Sequence, residues 1–190
     1  GSVFGLVGEN GAGKTTLIKH VLGLLRAEAG TIRVFGMDPV SDPVPVLGRI
    51  GYLSEQPDLP GWMRVDQFMR YTQAFYPKWN TAYAEGLREQ FGLSPRARVK
   101  TLSKGQQAKL GLLAAQAHRP DLLLLDEPMS SLDAELKSEL MAELKSLQRA
   151  LEAPAVYITH DRAEAQVMAC RVALMRNGRI TQIVKPHELR

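Results

Sequence analysis

The sequence predicts an α/β domain built on a largely parallel sheet flanked by helices, and three observations carry that expectation. Short apolar runs suited to buried strands alternate with longer stretches of helical period. A Gly-rich turn joins the first apolar run to the first helical one. The 190 residues are the length of one domain, enough to bury roughly 70% of the unfolded surface. There is no low-complexity block and no repeat of solenoid period, so disordered and array architectures are set aside.

Taken in order, "VFGLV" (3–7) reads as a buried strand and 14–25 as the helix after it. "TIRVF" (31–35) and "RIGYL" (49–53) read as further strands, with Pro39, Pro43 and Pro45 marking the loop between them. From about 62 to 93 the period becomes helical, with Phe68, Tyr71 and Phe75, then Tyr83, Leu87 and Phe91, at helix spacings. This stretch is expected to be a helical insertion. A helix is expected after "TLSKGQ" (101–106), ending near Pro120, followed by the strand "DLLLLDEP" (121–128). Residues 133–151 give the clearest helix, since Leu136, Leu140, Leu144, Leu147 and Leu151 share one stripe. "AVYITH" (155–160) is the next strand, and "VALMRNGRITQIV" closes the domain as a hairpin turning at Asn177-Gly178. The expected organisation is a single domain over 1–190, with a core of 1–60 and 119–190 and a helical subdomain of about 61–118.

Charge and cysteine usage narrow the function classes. Lys and Arg number 24 against 20 Asp and Glu, a net charge of +4, which is a mild basic bias and not a basic stripe; no nucleic-acid partner is expected. Cys170 is the only cysteine, so an internal disulfide is impossible and a small buried apolar role is expected. The longest apolar runs, such as "LLLL" (122–125), are far below a membrane span, and no signal peptide is visible; a soluble, intracellular chain is expected. The chain opens on Gly and not Met, so an upstream segment is expected to have been removed.

The chemistry concentrates in four places. "GENGAGKT" (8–15) fits the P-loop pattern G-x-x-x-x-G-K-[ST] in its required strand-to-helix context. Glycines let successive backbone N–H groups curl round phosphate oxygens, and the helix N-terminus adds partial positive charge. Lys14 is placed to reach β and γ phosphates and Thr15 to offer its hydroxyl to Mg²⁺. In "LLLLDEP", Asp126 ends a buried strand at the sheet edge where ligands bind. A carboxylate there can hold Mg²⁺ through water, and Glu127 can take a proton from an attacking water. His160 also ends a strand, where it could hydrogen-bond a γ phosphate or serve structure alone. Ser103 and Gln106 make the S-x-x-Q of a capping box, and Gly105 beside them suits a backbone that approaches a ligand.

With "SSLD" (130–133), these motifs together resemble the ATPase domain of ABC transporters, whose Walker A, Q-loop, signature, Walker B, D-loop and switch histidine appear here in order across 8–160. The resemblance implies a P-loop NTPase fold with a signature-bearing helical insertion, and ATP and Mg²⁺ as ligands. Gly8, Glu9, Asn10, Gly11, Ala12, Gly13, Lys14, Thr15 and Thr16 would form the nucleotide loop, Asp126 would support the metal, Glu127 would be the general base and His160 the γ-phosphate sensor. Ser103, Gly105 and Gln106 would act on the nucleotide of a second ATPase subunit, identical or not, in a head-to-tail dimer, with Asp133 in the loop that spans it. The implied setting is cytoplasmic, on the inner face of the membrane, against a separately encoded permease.

Three departures from the family pattern stand out. Lys104 replaces a glycine in "LSKGQ"; the Q-loop position falls on Glu55, with Gln56 next to it and either oxygen able to approach Mg²⁺; and the strand carrying the adenine-stacking aromatic falls before residue 1. Glu55 and "FYPKW" (75–79) are similar to export-type systems. The runner-up reading is a soluble mechanical ATPase acting on DNA or ribosomes, which usually carries a long coiled coil or a second cassette. A regulatory subunit without turnover is disfavoured by Glu127.

Overall fold

A six-stranded sheet organises the chain, in the order β2-β3-β4-β1-β5-β6. The computed structural model describes residues 2–151 and 153–189, with the side chains of 149–151 outside that description. The strands are β1 (Val3–Val7), β2 (Ile50–Leu53), β3 (Leu122–Asp126), β4 (Ala155–Thr159), β5 (Arg171–Arg176) and β6 (Arg179–Val184). The first five pair in parallel, and β6 returns antiparallel to β5. The hairpin turns where the sequence predicts, with Asn177 and Gly178 both at positive φ.

Period-two alternation distributes the strand residues between two apolar layers. Leu6, Leu124 and Ile158 face a cluster with Ile18 and Leu22 beside helix α1 (Lys14–Val21) and Val46 of the short α2 (Pro43–Leu47). Leu123, Leu125 and Tyr157 face the other way, into a larger cluster with α5 (Lys104–Gln116) and α6 (Ala134–Leu151). The predicted insertion is α3 (Val65–Gln73) and α4 (Thr81–Gln90), whose Phe68 and Leu87 join that second cluster. A further short helix, α7 (Arg162–Met168), follows β4. The leucine stripe of α6 holds at Leu140, Leu144 and Leu147, all buried, while the Leu151 side chain lies outside the described residues.

Four sequence expectations fail. "TIRVF" is not a strand: the chain reverses at Phe35 and Gly36, both at positive φ, and Val34 bridges only to Met37. Its alternating composition matches a strand, but among the described residues no strand lies beside it to complete a ladder. Two helices end early, α1 at Val21 and α5 at Gln116. Cys170, expected to be buried, is exposed in the connection between α7 and β5.

Candidate functional site

Strand order assembles the site. β3, β4 and β1 are neighbours, so their carboxyl ends bring Asp126, His160 and the Gly-rich loop to one sheet edge. The register sets Val7 beside Thr159 and Asp126 beside Ile158. The 8–15 loop then turns into α1 through Gly13, whose φ of 100° no side chain adopts comfortably. No side chain caps α1, so its first N–H groups stay available to an anion. Gly8 is needed for a different reason: an added Cβ would lie 2.6 Å from the Met175 carbonyl oxygen. The Asn177-Gly178 turn braces the loop from the same side, the Gly178 N–H donating to the Ala12 carbonyl at 2.8 Å. In the sequence this hairpin reads only as closure of the fold.

An open cleft of ≈ 360 Å³ lies in front of this edge, lined by Asn10, Gly11, Gly13, Lys14, Thr15, Thr16, Glu55, Glu127 and His160. That volume is within the range of about 300–1,000 Å³ usual for small-molecule sites. Lys14 is buried, its Nζ donating to the Gly8 and Glu9 carbonyls at 2.7 and 3.2 Å and pairing with Glu127 Oε1 at 3.2 Å. The other Glu127 oxygen lies 2.6 Å from His160 Nδ1. An ionised carboxylate can only accept, so Nδ1 carries the proton of that bond and Nε2 is left for another partner. Glu127 sits at φ 47°, a conformation that costs a non-glycine residue about 1 kcal/mol. Its N–H donates to the Ile158 carbonyl at 2.9 Å and its carbonyl accepts from Ser130 N–H at 3.1 Å, which holds that turn in place.

Asp126 lies behind the cleft wall, buried at the end of β3. Burial raises its carboxyl above the ordinary range, the Glu127 and Glu55 charges raise it further, and Lys14 and Lys19 oppose them only in part. Thr15, Glu55 and Glu127 line one cleft, and Asp126 feels the charge of both carboxylates, a setting that suits a hard cation. Among the described residues no three His, Cys, Asp or Glu side chains form a complete metal cage. This donor set fits Mg²⁺, which is usually held by one or two protein oxygens together with substrate phosphates.

The structure brings some predicted residues together and leaves others apart. Glu55 lines the cleft, whereas Gln56 lines only a neighbouring groove with Lys104, Gln107 and Ser131, a groove that Glu55 also borders. Glu9 and Ala12 face a separate hollow beside Met175 and Arg176. Ser103, Gly105 and Gln106 do not line this cleft. They start α5 as the predicted capping box, with Gln106 N–H donating to Ser103 Oγ at 3.2 Å and Ser103 N–H to Gln106 Oε1 at 3.0 Å. Leu136 of α6 also comes close to the Gly105 backbone: an added Cβ would sit 2.5 Å from Leu136 Cδ2.

A sequence profile described as "ABC transporter" matches residues 1–130, and the chain belongs to that family. It is 34% identical over its whole length to the spermidine/putrescine import ATP-binding protein PotA of Acidothermus cellulolyticus, and covers 50% of that protein. The sulfate/thiosulfate import ATP-binding protein CysA of Vibrio cholerae is 36% identical over the whole chain, which covers 52% of it. A solved structure described as the ATP binding subunit of an ABC transporter superposes with a TM-score of 0.84 at 27% identity, covering 97% of this chain and 78% of the other. The fold is therefore the ABC ATPase fold. The chain spans about half the length of these curated relatives. Both are named for import, against the export-type expectation drawn from Glu55 and "FYPKW", and neither is a DNA or ribosome ATPase. Those two features are too local to separate subfamilies that share one catalytic edge.

Proposed function

We propose that this chain binds and hydrolyses ATP and so powers an ABC transporter of import type, through closure of a head-to-tail pair of such domains. The observation that carries this reading is the convergence of Lys14 and His160 on the two oxygens of Glu127 at the mouth of the Gly-rich loop. Lys14 and the loop N–H groups of 10–16 bind the phosphates. Thr15, Asp126 and Glu55 are the residues that would hold Mg²⁺, the position of Glu55 in the cleft favouring it over Gln56. When bound, Mg²⁺ neutralises charge on the β and γ phosphates.

Glu127 is the general base. Lys14 gives up its contact with Glu127 in favour of phosphate, which frees a carboxylate oxygen to take the proton of the attacking water. His160 orients the other oxygen through Nδ1–H, and as an imidazolium it can also donate Nε2–H to the γ phosphate. Ser103, Gly105 and Gln106 stand outside this cleft and serve the nucleotide of the partner domain. The helical unit of about 61–118 couples closure to a separate permease at the cytoplasmic face. No described helix is long and apolar enough to cross a membrane. Cargo selectivity lies with the permease side, since relatives named for polyamine cations and for sulfate are about equally similar.

Glu127→Gln tests the reading. It keeps shape and loses the base, so ATP affinity should persist while turnover is abolished, and size-exclusion chromatography with ATP should show a trapped dimer. A variant that hydrolyses ATP at the parent rate removes Glu127 from this role.

A further inference from the structure

Behind the cleft lies a buried carboxylate that the chemistry above does not use. Glu164, in the first turn of α7, is 5% exposed and has every carboxylate contact taken by a side chain. Its Oε2 accepts from the Tyr157 hydroxyl at 2.9 Å and from Thr159 Oγ1 at 2.8 Å. Its Oε1 pairs with Lys137 Nζ at 2.6 Å, and the same ammonium lies 3.7 Å from Asp161.

These partners belong to the two turns that frame the cleft. Tyr157 and Thr159 flank Ile158, whose carbonyl holds the Glu127 N–H at 2.9 Å. The Thr159 hydroxyl, besides donating to Glu164, accepts from the Asp161 N–H at 2.9 Å, so the peptide that follows His160 is tied through this hydroxyl to Glu164. Lys137 lies in the first turn of α6, where its own N–H donates to the Asp133 carbonyl at 2.9 Å and Asp133 Oδ1 caps the Leu136 N–H at 3.0 Å. One carboxylate therefore grips the strand end that carries His160 and, through Lys137, the start of the helix that follows the 130–133 turn.

We propose that Glu164 is a positioning residue which, with Lys137, locks the Asp133 turn and the His160 turn into one body and so sets the Glu127–His160 pair. The proposal rests on the ATPase reading given above. Burial and the neighbouring Glu164 hold the Tyr157 hydroxyl far above its ordinary range, so it stays a donor, and the Glu164 contact raises the Lys137 ammonium. A buried ion pair seldom adds net stability over an apolar replacement of the same shape, and the benefit it supplies here is a fixed geometry.

The test compares Glu164→Gln, Lys137→Met, Lys137→Arg and the double variant Lys137→Met/Glu164→Gln with the parent chain. Three quantities are read: kcat for ATP hydrolysis, Kd for mant-ATP, and thermal midpoint. A positioning role predicts that kcat falls by about tenfold in Glu164→Gln and Lys137→Met, because small misplacement of reacting groups costs rate steeply. Mant-ATP affinity should stay within about twofold, since no residue contacting phosphate has changed. The double variant should be no slower than the worse single one, because both changes break one link, and Lys137→Arg should retain most of the parent rate. A purely architectural role predicts a lower thermal midpoint with kcat per mant-ATP site unchanged, and that result overturns the proposal. Lys137 is partly exposed, so Lys137→Met carries the test even if Glu164→Gln fails to fold. If the parent neither binds mant-ATP nor hydrolyses ATP, the ATPase reading falls and the proposal with it. A working parent with unaltered Lys137→Met and Glu164→Gln overturns the positioning role alone.

Discussion

The N-termini of α1 and α5 look alike in sequence, each a glycine-bearing start to a helix, but the structure treats them in opposite ways. At α1 no side chain caps the helix, and the space around Gly11 is open, with nothing within 4 Å of an added Cβ. At α5 Ser103 and Gln106 satisfy each other's backbone N–H groups, and Gly105 is pressed against Leu136. The first end is left unfinished in front of a cleft lined by Lys14, Glu127 and His160. The second is a finished helix start, held to α6 and standing outside that cleft. In the proposed reading the uncapped end binds the nucleotide of its own chain, and the capped end acts on a nucleotide brought to it by a second chain.

The largest effect expected from this contrast is at α1. Lys14→Ala removes the buried cation at the loop, and mant-ATP affinity should fall by about ten- to hundredfold, the usual worth of a hydrogen bond to a charged group. Unchanged affinity would mean that the loop is not the phosphate site. At α5 the changes should register in stability and leave binding to the same chain's loop intact. Gly105→Ala forces a methyl into Leu136 and should cost about 1–3 kcal/mol in urea unfolding. Combining it with Leu136→Ala should recover part of that loss. Smaller still, Ser103→Ala removes one cap and should cost about 1 kcal/mol, with mant-ATP affinity at the parent value. A loss of affinity in Ser103→Ala would erase the contrast.

Much of this site is legible in the sequence because local chemistry fixes it. The Gly-rich loop needs Gly8 and Gly13 whatever surrounds it, "LLLLDEP" ends a buried strand on two carboxylates, and the capping box forms as its spacing demands. What escapes is set by distant neighbours. The contact of Gly105 with Leu136, some thirty positions on, has no local signal. Nothing near Glu164 in the sequence announces its inward turn to Tyr157, Thr159 and Lys137. The same holds for "TIRVF", whose strand-like alternation lacks a neighbouring ladder, and for the hairpin turn that braces Ala12.

In the proposed dimer the two helix ends serve different subunits, and mixing two defective chains tests this most directly. Lys14→Ala spoils the loop and leaves the α5 end intact; Ser103→Arg does the reverse. Each alone should be inactive, since both sites of a two-fold dimer carry a lesion. In a mixed dimer the good loop of one chain meets the good α5 end of the other, so one site is whole. Equal mixing should restore about a quarter of the parent ATPase rate, half of the dimers being mixed and each having one working site of two. ATP-dependent dimer formation is followed in the same samples by size-exclusion chromatography. Recovery near that value supports action between subunits, whereas dimers that form with ATP and show no recovery contradict it.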